Sequence, residues 1–178
     1  MVVAAASTLP VAGSTKTPYR SRAVSAERSV NTFTFGTGGL LVYPLRFGAS
    51  AVLSGPFEPE TMLETIQRHR ITVAFCAPTS YRFMLRVPDL EKRFDLGSLR
   101  LSVSAAEPLP AATYAEWVGR TRKECLDGIG STEMFHIFVS SFPGRVRPGA
   151  TGVPVPGYDC RVVDDEGRSS SPKRPTPR

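Results

Sequence analysis

The chain has 178 residues, is 41% hydrophobic and carries a formal net charge of +6, which is enough apolar material for one core of its own. The charge is uneven: residues 1–30 hold Lys16, Arg20, Arg22 and Arg28 against Glu27, residues 168–178 hold Arg168, Lys173, Arg174 and Arg178 with no acid, and the body between is close to neutral. This argues against a basic nucleic-acid groove on the folded part and confines such association to salt-sensitive tails; a membrane span is excluded as well, because Arg46 interrupts the best apolar run, Leu40 to Leu53.

In chain order, residues 1–30 are rich in Ala, Ser, Thr and Arg and lack periodicity, which predicts a disordered leader. GGLLVYPLRFGA reads as a short helix interrupted near Pro44, and SAVLSG as a short buried strand. PETMLETIQRHR predicts a helix with Pro59 in its first turn and Met62, Leu63 and Ile66 on one face. ITVAF is a continuous apolar strand ending at Ala77-Pro78-Thr79. A helix around Tyr81 to Arg86, the strand LRLSVS, the turn AAEPLP, a helix from about Pro110 to Arg122 and the short strand ECLD follow. The last third changes character: HIFVSS and YDCRVVD read as strands around the Gly/Pro-rich RPGATGVPVPG, and DDEG as a hairpin turn. SSSPKRPTPR closes the chain as a low-complexity basic tail over 168–178.

Repeated strand, loop and helix units predict an α/β fold over 31–167, with a mainly parallel sheet covered by helices and a short β-rich C-terminal part. Ligands of such sheets gather at the carboxyl ends of the strands. Three loops fall at that edge: APTS, AAEPLP and GIGSTE.

GIGSTE is the richest of them. Gly128 and Gly130 allow close backbone approach, Ser131 and Thr132 offer donors to phosphate oxygens, and Glu133 could hold a magnesium ion beside them. The same residues also describe a surface turn with a solvated acid. Glu107 in AAEPLP reads equally as a site residue or as part of a helix-entry turn. His136 is a core or pocket-lining histidine, with no second ligand at zinc spacing. Cys76, Cys125 and Cys160 lie far apart without a C-x-x-C pair and read as reduced, small hydrophobes of a cytoplasmic protein.

SVSAAEPLP, LDGIGSTEMFHIF and RPGATGVPVPGYDCRVVDDEG, in this order and spacing, resemble the AMP-forming acyl-CoA synthetases of the adenylate-forming superfamily. TFTFGTGGLLVYPLRFGASAVL and VAFCAPTSYRFML fit the benzoate and 2-aminobenzoate CoA ligase branch, and the likeness runs from about Phe33 to Arg168. The resemblance implies ATP-dependent adenylation of an aryl carboxylate, giving acyl-AMP and pyrophosphate, followed by displacement of AMP by coenzyme A. It assigns Thr132 to the AMP phosphate and Glu133 to Mg2+, and it sets Ala106, Glu107, Pro108, Asp127, Gly128 and Ile129 around the nucleotide. Thr34, Phe35, Gly36, Gly130 and His136 correspond to the acyl pocket. Ile129 stands where many relatives carry an aromatic residue, Ala106 where glycine is usual, and Phe35 where tyrosine is common.

The resemblance also implies an upstream phosphate loop ending in lysine, and a downstream ribose-binding aspartate, hinge and small domain. The stretch AGSTKTP and the tail SSSPKRPTPR do not match them. A truncated or frame-shifted product, catalytically incomplete in isolation, is therefore expected. The alternatives are a non-catalytic remnant that binds nucleotide or aryl acid, and nucleic-acid association through the tails.

Overall fold

The structure, a computed structural model, describes Val2–Ala6, Arg22–Ser25 and residues 34–169. Its centre is a seven-stranded sheet ordered β3-β2-β4-β5-β6-β7-β8. Strands β2 (Arg22–Ser25), β3 (Ser50–Leu53), β4 (Val73–Cys76), β5 (Leu101–Ser104) and β6 (Cys125–Gly130) run parallel. Strands β7 (Ile137–Ser140) and β8 (Val153–Pro154) continue the sheet antiparallel. A separate antiparallel pair joins β1 (Val2–Ala6) to β9 (Tyr158–Val162).

Side-chain alternation along the strands sends successive residues to opposite layers. On one layer Ala74, Cys76 and Cys125 meet helices α3 (Pro59–Arg68), α4 (Pro78–Leu85) and α6 (Ala111–Thr121). Met62, Leu63 and Ile66 of α3 are buried as their spacing predicts, joined by Tyr81, Met84 and Trp117. Trp117 is fully buried, and its indole donates to Ser102 Oγ at 3.2 Å, so the polar edge of a large apolar side chain is satisfied inside the core. The Tyr81 hydroxyl reaches the carbonyls of Ala74 (3.2 Å) and Val103 (3.1 Å), tying the helix layer to two neighbouring strands. Arg120 of α6 donates to the carbonyls of Leu85 (2.6 Å) and Val87 (3.2 Å), satisfying groups that the end of α4 leaves open. A short helix, α5 (Leu90–Arg93), completes this layer.

The opposite layer holds α1 (Thr34–Thr37), a π-helical turn (Gly38–Val42) and α2 (Tyr43–Phe47). The interruption expected near Pro44 is thus a change of pitch: the Tyr43 amide donates back to Gly38, and Pro44, which has no amide hydrogen, sits in the first turn of α2.

Three expectations need correction. β3 is an edge strand with three of its four residues exposed, where a buried strand is predicted. β1 and β2 fall inside the segment read as a disordered leader, and β2 is held between two parallel neighbours that local periodicity does not reveal. The third concerns GIG, which extends β6 as strand through Gly130 because β7 pairs with it antiparallel, with a register irregularity at Ile129/Gly130. The closing basic tail beyond Ser169 lies outside the described residues. Among the described residues no helix is long and apolar enough to cross a membrane.

Candidate functional site

The loop after β5, the end of β6 and the loop into β7 meet α1 at one edge of the sheet. Two adjoining cavities open there and share Ala106 and Gly130. The first, about 210 Å³, is walled by Thr34, Phe35, Ala105, Ser131, Thr132, His136 and Ile137. The second, about 180 Å³, is walled by Glu107, Pro108, Asp127, Gly128, Ile129 and Thr151.

The first cavity has an aromatic wall. His136 is 6% exposed and lies 5.6 Å from the Phe35 ring and 4.9 Å from that of Tyr43. Its Nε2 is 3.2 Å from the Phe35 carbonyl. A carbonyl only accepts, so this nitrogen carries the proton; burial lowers the imidazole pKa, keeping the ring neutral and leaving Nδ1 as an acceptor. Gly38 makes the contact possible, since a Cβ there would collide with the His136 ring. Gly36 is buried in α1 beside this wall but lines neither cavity.

The second cavity is bounded by a carboxylate. Asp127 is 6% exposed, and burial raises its pKa against donors that include the Leu109 and Gly128 amides. Its Oδ1, and the Oγ of Ser104 beside it across the β5–β6 register, are buried without a hydrogen-bond partner among the described residues. Ile129, 42% exposed, offers an aliphatic surface at the same place.

The loop Ser131 to His136 lies between the two cavities and β7. Its Met134 amide donates to Ser131 Oγ at 3.3 Å and its Phe135 amide to the Thr132 carbonyl at 3.0 Å. Thr132 and Glu133 are both exposed, and Glu133 has its pKa held down by its own backbone amide and by Ser131. Glu107, offered by the sequence as a site or turn acid, accepts from Thr79 Oγ1 at 2.7 Å, clamping the β5–α6 loop to the start of α4. Two non-glycine residues of the site, Ala106 (φ 77°) and Phe135 (φ 70°), adopt the left-handed conformation, which costs about 1–3 kcal/mol each and persists only where surroundings enforce it.

The expected site residues therefore converge, with Gly36 and Glu133 at the margin. Ala105, Ile137 and Thr151, not among the expected site residues, also line the cavities, as does Ser131, expected as a donor to phosphate oxygens. Ile137 was readable from the alternation in HIFV, whereas Thr151 sits in a Gly/Pro-rich segment with no periodicity to place it. Among the described residues no group of three or more His, Cys, Asp or Glu could hold a metal by itself. One exposed carboxylate next to hydroxyls is still the donor set Mg2+ uses when substrate phosphates and water complete its shell.

The chain is 43% identical over 136 residues to benzoate–CoA ligase of Thauera aromatica, covering 76% of this chain and 26% of that protein. It is 39% identical over 138 residues to anthranilate–CoA ligase of Pseudomonas aeruginosa, covering 77% and 26%. The fold superimposes with a TM-score of 0.78 and 44% identity on the crystal structure of the anthranilate CoA ligase AuaEII in complex with anthranoyl-AMP, over 85% of this chain and 29% of that one. The chain thus spans about a quarter of the length of the curated relatives it matches. The model of the AMP-binding enzyme family matches residues 29–175, past both boundaries expected for the domain, and the chain belongs to that family.

Proposed function

We propose that these residues form the acyl-adenylate seat of an aryl-acid–CoA ligase. The observation that carries this reading is the adjacency of the two cavities, one aromatic and one bounded by a carboxylate, which share Ala106 and Gly130, with Ser131 and Thr132 in the wall of the first and Glu133 following them on the exposed loop. An aryl carboxylate fits the first cavity against the wall made by the stacked Phe35 and His136 rings, which exclude water from that side. Adenine fits the second cavity, with Ile129 against its face and Asp127 in the wall beside it. The phosphate linking the two halves then lies at Thr132 and Glu133.

In the reaction proposed for an enzyme carrying this seat, the aryl carboxylate attacks the α-phosphorus of ATP and pyrophosphate leaves; the thiol of coenzyme A then displaces AMP from the acyl carbon. Glu133 would hold Mg2+, which on binding neutralises charge on the phosphate oxygens. Thr132 would donate to those oxygens, and His136 and Phe35 would hold the acid in line. Relatives of similar sequence that act on benzoate and anthranilate support an aryl acid as substrate. Cys76 and Cys125, buried and in no disulfide, support a reducing, cytoplasmic setting.

Calorimetric titration of the full chain with a benzoyl-adenylate analogue carrying a non-hydrolysable phosphonate linkage, in magnesium, tests this. Saturable binding is expected, weakened roughly 10-fold or more in Glu133→Ala, the loss of one charge-assisted contact. Absence of binding by folded wild-type chain would overturn the reading.

A further inference from the structure

The loop that carries Thr132 along the wall of the first cavity, with Glu133 beside it, has little support of its own. Two of its ties are internal: the Met134 amide to Ser131 Oγ and the Phe135 amide to the Thr132 carbonyl. It also contains Phe135, an aromatic residue at φ 70°, a conformation that must be enforced. A hydrogen bond from outside the loop reaches its middle: the Tyr158 hydroxyl of β9 donates to the Met134 carbonyl at 3.1 Å, across 24 residues of chain.

Tyr158 is well built for that single task. Its ring packs at 6.2 Å from Phe138, which is buried in β7, and its own amide donates to the Val155 carbonyl at 3.0 Å, closing the turn before β9. The phenol is therefore anchored to the strand that follows the loop, and its oxygen reaches back to the carbonyl immediately before the strained residue. Tyr158 lines neither cavity.

We infer that Tyr158 is a positioning residue: its bond to the Met134 carbonyl holds the Ser131–Phe135 loop in the conformation that presents Thr132 and Glu133 to a phosphate. The inference rests on the proposed adenylate seat for its consequence, and on the hydrogen bond and the Phe135 backbone for its geometry. It requires an effect confined to ligands that carry phosphate. Adenosine alone would occupy the second cavity, against Asp127 and Ile129, and should not sense the loop.

Tyr158→Phe keeps the ring against Phe138 and removes only the donor. In the full chain with magnesium, affinity for the benzoyl-adenylate phosphonate is expected to fall about 2- to 10-fold, the range of one neutral hydrogen bond, with affinity for adenosine unchanged. Hydrogen exchange at the Phe135 amide is expected to accelerate while the β6 and β7 amides keep their protection. Unchanged affinity for both ligands would overturn the inference. So would an equal loss for both, or a variant that fails to fold, because each points to a general structural role. If wild-type chain binds neither ligand, the seat itself is refuted and exchange alone decides: faster exchange at Phe135 upholds the positioning role, and unaltered exchange ends it.

Discussion

The helix-covered middle of the sheet and the carboxyl edge of its strands are built on opposite terms. Beneath β4, β5 and β6, helices α3, α4 and α6 bury Leu63, Ile66, Tyr81, Met84 and Trp117 at 2% exposure or less, and the polar atoms of Tyr81 and Trp117 find partners there. At the cavity edge, by contrast, Asp127 Oδ1 and Ser104 Oγ, on that same face two residues beyond Cys125 and Ser102, go unpartnered among the described residues, and on the opposite face a buried imidazole rests on glycine. The middle of the sheet satisfies its groups and supplies stability; the carboxyl edge of the strands, beside the cavities, leaves some unsatisfied.

The largest break in this contrast should come from Trp117→Ala. Emptying the core at a fully buried indole is expected to cost about 3–5 kcal/mol and to lower the melting temperature by roughly 6–20 °C in calorimetry, with the cavity edge untouched by direct contact. Gly38→Ala attacks the cavity edge. Its Cβ would press on the His136 ring, so a stability loss of about 1–3 kcal/mol should accompany weaker binding of the benzoyl-adenylate analogue, whereas Trp117→Ala lowers stability without narrowing the pocket.

Asp127→Asn tests whether the unsatisfied carboxylate is a cost. Burial raises the folded-state pKa above the ordinary value of 3.8, so the folded chain holds this proton more tightly than the unfolded one. The stabilising contribution of the neutral acid is then full at low pH and is lost as pH rises from the unfolded value through the folded one. Melting temperatures of wild type minus variant should therefore decline across that window; a flat difference would show that the carboxylate is not strained by burial.

The smallest effect carries opposite signs at the cavity edge and inside the helix-covered face. Ala106→Gly relieves a left-handed alanine and should raise stability by at most about 1 kcal/mol, while Ala115→Gly inside α6 should lower it by about the same amount. Paired denaturant titrations would read both.

The satisfied middle of the sheet was the legible part. Met62, Leu63 and Ile66 announce their face by spacing alone, and Pro59 marks where α3 begins, whereas α4 starts at Pro78, three residues before the helix expected around Tyr81. The site was legible only as a set of separate motifs, because what joins them is non-local: the Phe35 carbonyl meets His136 across 101 residues, and Tyr158 reaches Met134 across 24. Neither tie leaves a local pattern. β2 was missed for the same reason, since four residues between two parallel partners need no periodicity of their own. GIG was misread because glycines signal turns, yet Gly128 and Gly130 here make room for β7, whose Ile137 side chain and His136 carbonyl occupy the space a Cβ would need.

The wide turn at Gly38–Val42 also acts as a rotary offset. A π turn holds about one residue more than an α turn, and each residue of α-helix advances the azimuth by about 100°. Wound at ordinary pitch, the same sequence would swing Tyr43 by about that angle away from His136, which it now meets at 4.9 Å. The extra residue is absorbed where it occurs, so the segments before and after it keep their phase. Removing one residue between Gly39 and Val42 should therefore leave the aromatic wall in place, whereas adding one should dismantle it.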